Sequence, residues 1–307
     1  MSEAHRTLKH RVLEHIRTEQ LWAPDQTVAI AVSGGVDSTV LLHLLHRTQG
    51  AHRGRLSVMS IDHGIRPASA GEAEEVRAQC EALGLPCTVV SLGLEAGPNL
   101  AERARDARRD ALRSLGTDRI ATGHHEDDQA ETVLYHLLRG SGMRGLKGMA
   151  ARTGPWVRPL LREPRRVLVS WATSQGLSWV EDPSNQASQR GRIRGLMPSL
   201  DALHGGSRRA LARSARLLAR EDAFLTEMED AAWAVTVVDE GLSRQGLLAL
   251  HPALQLRLLR RLVGVAGVRA DPLESVVRGA LLNAGTLDLG QGLTLVCADG
   301  VLKVQRS

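Results

Sequence analysis

The sequence predicts an α/β chain: an open, mostly parallel, Rossmann-like sheet with helices on both faces, followed by a smaller, mainly helical C-terminal domain. Three observations carry that expectation. Short β-rich runs alternate with helical stretches from Val28 to Arg139, the rhythm of strand-helix-strand units. A glycine pair, Gly34 and Gly35, separates a buried-strand pattern from a leucine-periodic one. Beyond Gly206 the strand rhythm gives way to long helical periodicity, which divides the chain into domains over 1–205 and 206–307. Length agrees, since 307 residues exceed the ~100–200 of a usual single domain.

The elements follow in order. Val28–Val32 is a buried apolar strand, and Thr39–Thr48 places its leucines on the face of a helix packed against it. Leu56–Asp62 is a second strand, Ala68–Leu83 a helix, Pro86–Leu92 a third strand and Asn99–Leu115 an arginine-rich helix. Arg119–Thr122 is a fourth strand and Asp127–Arg139 the next helix. The glycine-dense run GSGMRGLKGM that follows predicts a mobile loop rather than an element, which suits a substrate gate. Trp156–Leu161 is strand-like, and Glu163–Gln175 is helical with Pro164 tolerated in its first turn. EDPSN, Glu181–Asn185, has turn composition. Helical periodicity then runs to Ala231 and again over Leu250–Val265, and alternating apolar residues around Asp299-Gly300 predict a terminal hairpin.

Composition narrows the class. No apolar run approaches the ~18 residues of a membrane span and the N-terminus is polar, so a soluble cytoplasmic protein is expected. Cys80, Cys87 and Cys297 fit neither a disulfide framework nor a CxxC site, which makes them structural. The net charge is +5, and Lys occurs only at Lys9, Lys147 and Lys303, so nearly all basic residues are Arg. Either a phosphate-rich partner or a coding bias toward Arg accounts for that excess. One Tyr and one Phe provide no aromatic platform for single-stranded bases.

The chemistry begins at SGGVDS, Ser33 to Ser38, where a strand ends and a helix starts. Backbone N–H groups around Gly34, Gly35 and Val36 can converge on an anion at a helix N-terminus, and the hydroxyls of Ser33, Ser38 and Thr39 add donors. No lysine is present, so this is not a Walker A loop. Asp37 is ill suited to bare phosphate and better suited to Mg²⁺. On the helix beginning near Asp127, Asp128 and Glu131 are three apart and share a face, a carboxylate pair able to hold or deprotonate an amine. His124 precedes that helix, and Asp127 is either its N-cap or part of the site. His63 and Arg66 follow a strand end, where open α/β sheets gather ligands. Arg103, Arg105, Arg108 and Arg109 are either salt-laced surface or substrate contacts.

SGGVDS resembles the PP-loop of the ATP pyrophosphatases. Four further segments resemble the tRNA(Ile)-lysidine synthetase family within that group: DHGIRPAS from Asp62, TGHHEDDQAETVL from Thr122, LLRGSGMRGLKGM from Leu137, and RPLL with the later EDPSN. The resemblance spans about residues 25–200 in order and spacing. It implies ATP cleaved between its α and β phosphates and, with Mg²⁺, joining of L-lysine to C2 of the wobble cytidine in tRNA(Ile) with a CAU anticodon. It further implies Asp37, His124, Asp128, Glu131 and Arg192 as catalytic residues, Asp37 also as metal ligand. Ser33 to Ser38 with Asp62, His63 and Arg66 would bind the nucleotide. Within QRGRIRG, Arg190, Arg192 and Arg194 surround Gly191, where the family usually shows Asn, which puts that Asn's hydrogen bond in doubt. The basic amphipathic segments Arg213–Asp222 and Leu254–Leu262 are either packing helices or a grip on tRNA. A homodimer is compatible with these residues. A thiolase of the same group would need cysteines near the site, an amidotransferase an N-terminal Cys, and a non-catalytic nucleotide sensor would not need Asp128 and Glu131.

Overall fold

The computed structural model describes residues 3–62, 69–93, 97, 100–180, 189–239, 241–264, 273–276, 285–290 and 292–306. The expected EDPSN turn, His63 and Arg66 lie outside them, as does the side chain of Asp62. The chain forms two compact units, Met1–Ala219 and Arg220–Ser307.

The first unit opens with α1 (Glu3–Thr18), absent from the sequence expectation because its apolar stripe is narrow. Leu8, Val12 and Ile16 recur every four residues and are buried. Then follow β1 (Thr27–Val32), α2 (Val36–His52), β2 (Arg55–Asp62), α3 (Ser69–Ala82), β3 (Cys87–Ser91), α4 (Leu100–Ser114), β4 (Arg119–Ala121) and α5 (Glu126–Leu138). A short α6 (Met143–Leu146), β5 (Arg152–Thr153), β6 (Trp156–Val157), α7 (Arg165–Ser174) and α8 (Gln189–Leu203) complete the run before the long α9 (Ser207–Thr236).

The sheet order is β3-β2-β1-β4-β6-β5, parallel except for the β5–β6 edge hairpin. From β1 the chain first builds toward β3 and then returns to place β4 on the other side of β1. That reversal leaves a crevice beyond the C-terminal ends of β1 and β4, where loops leave the sheet in opposite directions. One face of the sheet packs on α1, α2 and α7 through Leu8, Val12, Leu41, Leu44, Leu45, Leu168 and Trp171. On the other, Met59 and Ile120 meet Leu112 of α4 and Trp156 of β6. A smaller cluster joins α5 to α8: Ala130 and Leu134 against Ile193 and Met197.

One expectation is corrected. The glycine-dense run contains the α6 turn, and its far end is pinned to α5. The buried Gln129 amide donates to the Met149 carbonyl at 2.9 Å and accepts from its N–H at 2.7 Å. Gly148 (φ +65°) admits that clamp, because a Cβ there would come within 2.6 Å of Gln129 Oε1. Arg190, Arg192 and Arg194 lie in the first two turns of α8. Residues two apart on a helix point about 200° apart, so Arg190 and Arg194 share a flank and Arg192 faces away from both.

The second unit continues from α9 through β7 (Val237–Val238), β8 (Gly241–Ser243), α10 (Arg244–Leu248), α11 (Pro252–Val263), β9 (Gly285–Gly290), β10 (Leu293–Ala298) and β11 (Val301–Arg306). The anticipated hairpin is present: Asp299 (φ +51°) and Gly300 (φ +76°) form a two-residue left-handed turn between β10 and β11. It belongs to an antiparallel sheet of order β7-β8-β11-β10-β9, larger than the one hairpin that alternation revealed. Beneath it, Leu258, Leu259, Leu295 and Leu302 are buried in one cluster. Inside the same unit the buried Arg257 of α11 donates to the buried Asp222 (2.9 Å) and Glu229 (2.7 Å) of α9 and to the more exposed Thr226 (3.0 Å).

The boundary expected at 205 marks the turn before α9, where the periodicity changes, whereas the packed units divide within α9. Among the described residues no helix is long and apolar enough to cross a membrane.

Candidate active site

The crevice holds a cavity of about 280 Å³ lined by Val32, Ser33, Asp37, Ser38, Arg108, Thr122, Gly123, His124 and Asp128, with Ala31, Met59 and Ile61 as its apolar wall. Its floor is the turn from β1 into α2. Gly34 takes φ +77°, which a side chain disfavours, and its carbonyl accepts from Val180 N–H at 2.9 Å. Gly35 is the N-cap without a side-chain cap, so the first N–H groups of α2 point out of the helix end with no intrahelical acceptor. Ser38 Oγ accepts from Ser33 N–H (3.1 Å) and donates to Gly35 O (2.9 Å), which holds the loop in its curved form. The result is a positive concavity suited to a phosphate chain.

The loop after β4 crosses directly over this turn. A Cβ on Gly123 would lie 3.0 Å from the Asp37 carbonyl carbon and 3.1 Å from Ser38 N, and backbone atoms have little room to yield. Gly123→Ala is therefore expected to destabilise the protein by about 1–3 kcal/mol through overpacking and to weaken nucleotide binding. Gly50→Ala, a helix position with nothing near the added carbon, should instead stabilise by up to about 1 kcal/mol. Urea unfolding and calorimetric ATP titration of the two variants check this pair of opposite signs.

On the far wall, His125 rather than Asp127 is the N-cap of α5. Its Nδ1 accepts from Asp128 N–H (3.3 Å), and Asp128 Oδ2 accepts from His125 N–H (3.0 Å), a reciprocal cap. His125 Nε2 faces Asp37 Oδ2 at 3.5 Å, which ties α5 to α2. Burial favours the neutral ring, but the hydrogen bond to Asp37 and the charge of Asp128 outweigh it and raise the His125 pKa. The Nδ1 cap opposes that rise, and a neutral ring protonated on Nε2 satisfies both contacts. Asp127 serves a third purpose that the sequence did not reveal. Its Oδ1 accepts from Arg165 N–H (3.0 Å), capping α7 where Pro164 has no side-chain cap, and its Oδ2 pairs with Arg208 at 3.2 Å.

Asp37 has an acidic pKa below its usual value. Burial works against ionisation, but the His125 hydrogen bond, then the His125 and Arg165 charges, prevail. Its Oδ1 is buried and has no hydrogen bond among the described residues, with Arg165 Nε only at 3.7 Å. An ionised oxygen lacking a donor is what a hard cation requires, and one carboxylate plus phosphate oxygens is a common Mg²⁺ arrangement. Among the described residues no group of three His, Cys, Asp or Glu is arranged to hold a metal by itself.

His124 is buried, and that burial, reinforced by Arg158, Arg108 and Arg190 and only partly offset by Asp128, pushes its pKa down to about 4. At neutral pH it is an uncharged hydrogen-bonding group, with Nδ1 2.8 Å from Thr122 Oγ1. Of the four arginines singled out on α4, Arg108 lines the cavity, and burial beside Arg105 lowers its pKa, the situation of a cation short of counter-charge. Arg109 instead lies over the Trp156 ring at 5.6 Å.

Glu131 and Asp128 do share a face, and Arg194 closes on them, bidentate to Glu131 at 2.7 and 3.1 Å and 3.9 Å from Asp128. Arg192 is exposed on the other side of α8 and is not brought to the cavity. Sequence reasoning missed Gly123, His125, Gln129 and Arg165. For Gly123 and His125 the signal was their place between a strand end and a carboxylate helix.

Comparison with known proteins adds four findings. The PP-loop domain family matches residues 4–200. The tRNA(Ile)-lysidine synthase of Alkalilimnicola ehrlichii is 39% identical over 275 residues, covering 85% of this chain and 62% of that protein. The one from Rhodococcus jostii is 41% identical over 255 residues, covering 80% of this chain and 77% of that protein. The chain thus spans about three fifths of the length of the Alkalilimnicola relative. Among solved structures, a U34-tRNA thiolase from Methanococcus maripaludis superposes with a TM-score of 0.60 at 20% identity, covering 71% of this chain and 81% of that one, which establishes a shared fold.

Proposed function

The chain belongs to the tRNA(Ile)-lysidine synthase family of PP-loop proteins, and from that premise we propose that it ligates L-lysine to C2 of the wobble cytidine in tRNA(Ile) with a CAU anticodon. The observation that carries this reading is one cavity lined by both a phosphate-gripping turn and an amine-holding carboxylate, Asp128.

Two steps balance the chemistry. The C2 carbonyl oxygen of cytidine attacks the α-phosphate of ATP, the α–β bond breaks and pyrophosphate leaves, giving an O-adenylated base. The lysine ε-nitrogen then attacks C2, the C2–O bond breaks, and AMP departs with that oxygen. The turn Ser33 to Ser38 takes the β and γ phosphates, Arg108 lies toward the charge that grows on the α-phosphate, and Asp62, His63 and Arg66 contribute to the nucleotide. Preformed donors aimed at developing charge stabilise the transition state without reorganisation. Asp37 would hold Mg²⁺, which would supply charge screening for the leaving pyrophosphate. Lysine arrives as an ammonium and is inert until a proton leaves, so Asp128, with Glu131 beside it, receives the charge and the proton. Neutral His124 donates to or accepts from the reacting base. Arg192 is kept as an outer contact for tRNA phosphate rather than a group at the reacting atoms.

Within this reading residues 1–205 carry catalysis and 206–307 hold the tRNA, in the cytoplasm, with a homodimer compatible. A thiolase reading is disfavoured by where the cysteines are: Cys80, Cys87 and Cys297 lie on α3, β3 and β10, and none lines the cavity. Incubation of a CAU tRNA with ATP, Mg²⁺ and labelled lysine, followed by nucleoside mass spectrometry, is expected to show lysidine with AMP and pyrophosphate formed in step. ADP, or an unchanged cytidine, would sink the proposal.

A further inference from the structure

We propose that Arg194 is a positioning residue that fixes Glu131 and thereby leaves Asp128 Oδ1 as the one acceptor offered to the lysine amine. This rests on the ligase reading above and divides the labour within its carboxylate pair.

The geometry separates the two acids. Both Glu131 oxygens are taken by the Arg194 fork, at 2.7 and 3.1 Å, and Glu131 is 4% exposed and absent from the cavity lining. Asp128 lines the cavity. Its Oδ2 is engaged by the N-cap, accepting from His125 N–H at 3.0 Å. Its Oδ1 has Arg194 at 3.9 Å, beyond hydrogen-bond reach. The Arg194 guanidinium hydrogen-bonds only Glu131 of the two carboxylates, which leaves Asp128 Oδ1 to an incoming ammonium. Because the fork is planar and bidentate, it also fixes the distance between α8 and α5, so the amine site is shaped by a contact that never touches the amine. The same contact commits Arg194 to carboxylate rather than to a phosphate.

A double-mutant cycle tests this. Arg194→Met and Glu131→Gln should each raise KM for lysine by about ten- to hundredfold, the scale on which a misplaced reacting partner acts. The double variant should be no worse than either, because the two residues work as a unit. Arg194→Lys, with one prong, should fall between wild type and Arg194→Met, which guards against reading misfolding as function. In Arg194→Met and Arg194→Lys, lysine-free, tRNA-dependent exchange of pyrophosphate into ATP should persist, with KM for ATP and tRNA near wild type. A far larger loss in Glu131→Gln than in Arg194→Met would overturn the proposal by making Glu131 the amine holder. A rise in KM for tRNA or ATP in Arg194→Met would overturn it by returning Arg194 to phosphate. A wild-type protein without exchange or lysidine would instead defeat the ligase reading itself, so the two failures are told apart.

Discussion

Asp128→Asn is expected to lower the rate of lysine transfer by about 10²–10⁴-fold while ATP-dependent pyrophosphate exchange continues. The amide is nearly isosteric, and its oxygen still accepts the His125 N–H that caps α5, so the helix should form as before. What disappears is the anionic oxygen facing the cavity. Its replacement by an NH₂ group puts a donor where the substrate ammonium, itself only a donor, must bind. The amine then loses both its electrostatic partner and the group that takes its proton. Timed mass spectrometry of lysidine, run beside exchange, checks both halves, and lysine transfer within threefold of wild type would remove Asp128 from the chemistry.

The second large effect lies far from that chemistry. Arg257→Ala should destabilise the C-terminal unit by about 3–5 kcal/mol, since its two carboxylate partners, Asp222 and Glu229, are buried and lose their shared guanidinium. Arg261→Ala, one turn along α11, removes an ion pair with the exposed Asp230 and should cost no more than about 1 kcal/mol from that pair. Hydrogen exchange resolved along the chain, with urea titrations of both variants, should show protection lost in α9, α11 and the second sheet for Arg257→Ala only.

Much of the first unit was legible because its signals are local. The strand-helix alternation, the SGGVDS turn and the Asp299-Gly300 hairpin each depend on residues within a few positions of one another. Where the sequence failed, the cause was contact between distant segments. Nothing near Asp127 says that it caps a helix beginning at Arg165, and nothing near Gly123 says that α2 crosses within 3.0 Å of its missing side chain. Arg190, Arg192 and Arg194 look equivalent in the sequence, and helix α8 separates them, with Arg192 facing away from the other two. The glycine-dense run looked free because its composition speaks only of backbone freedom. The clamp on Met149 comes from Gln129, twenty residues away.

The place where the two units part has a practical meaning for anyone dissecting the chain. Arg208 and Arg216 lie on α9 before the division, and they reach back to Asp127 and to the buried Glu126, whose carboxyl burial holds at a raised pKa. Scissors set at residue 205, where the periodicity changes, would strip those counter-cations from the helix that presents Asp128. Cutting after Ala219 spares them, so the natural seam of this molecule runs through the middle of a rod rather than along a loop.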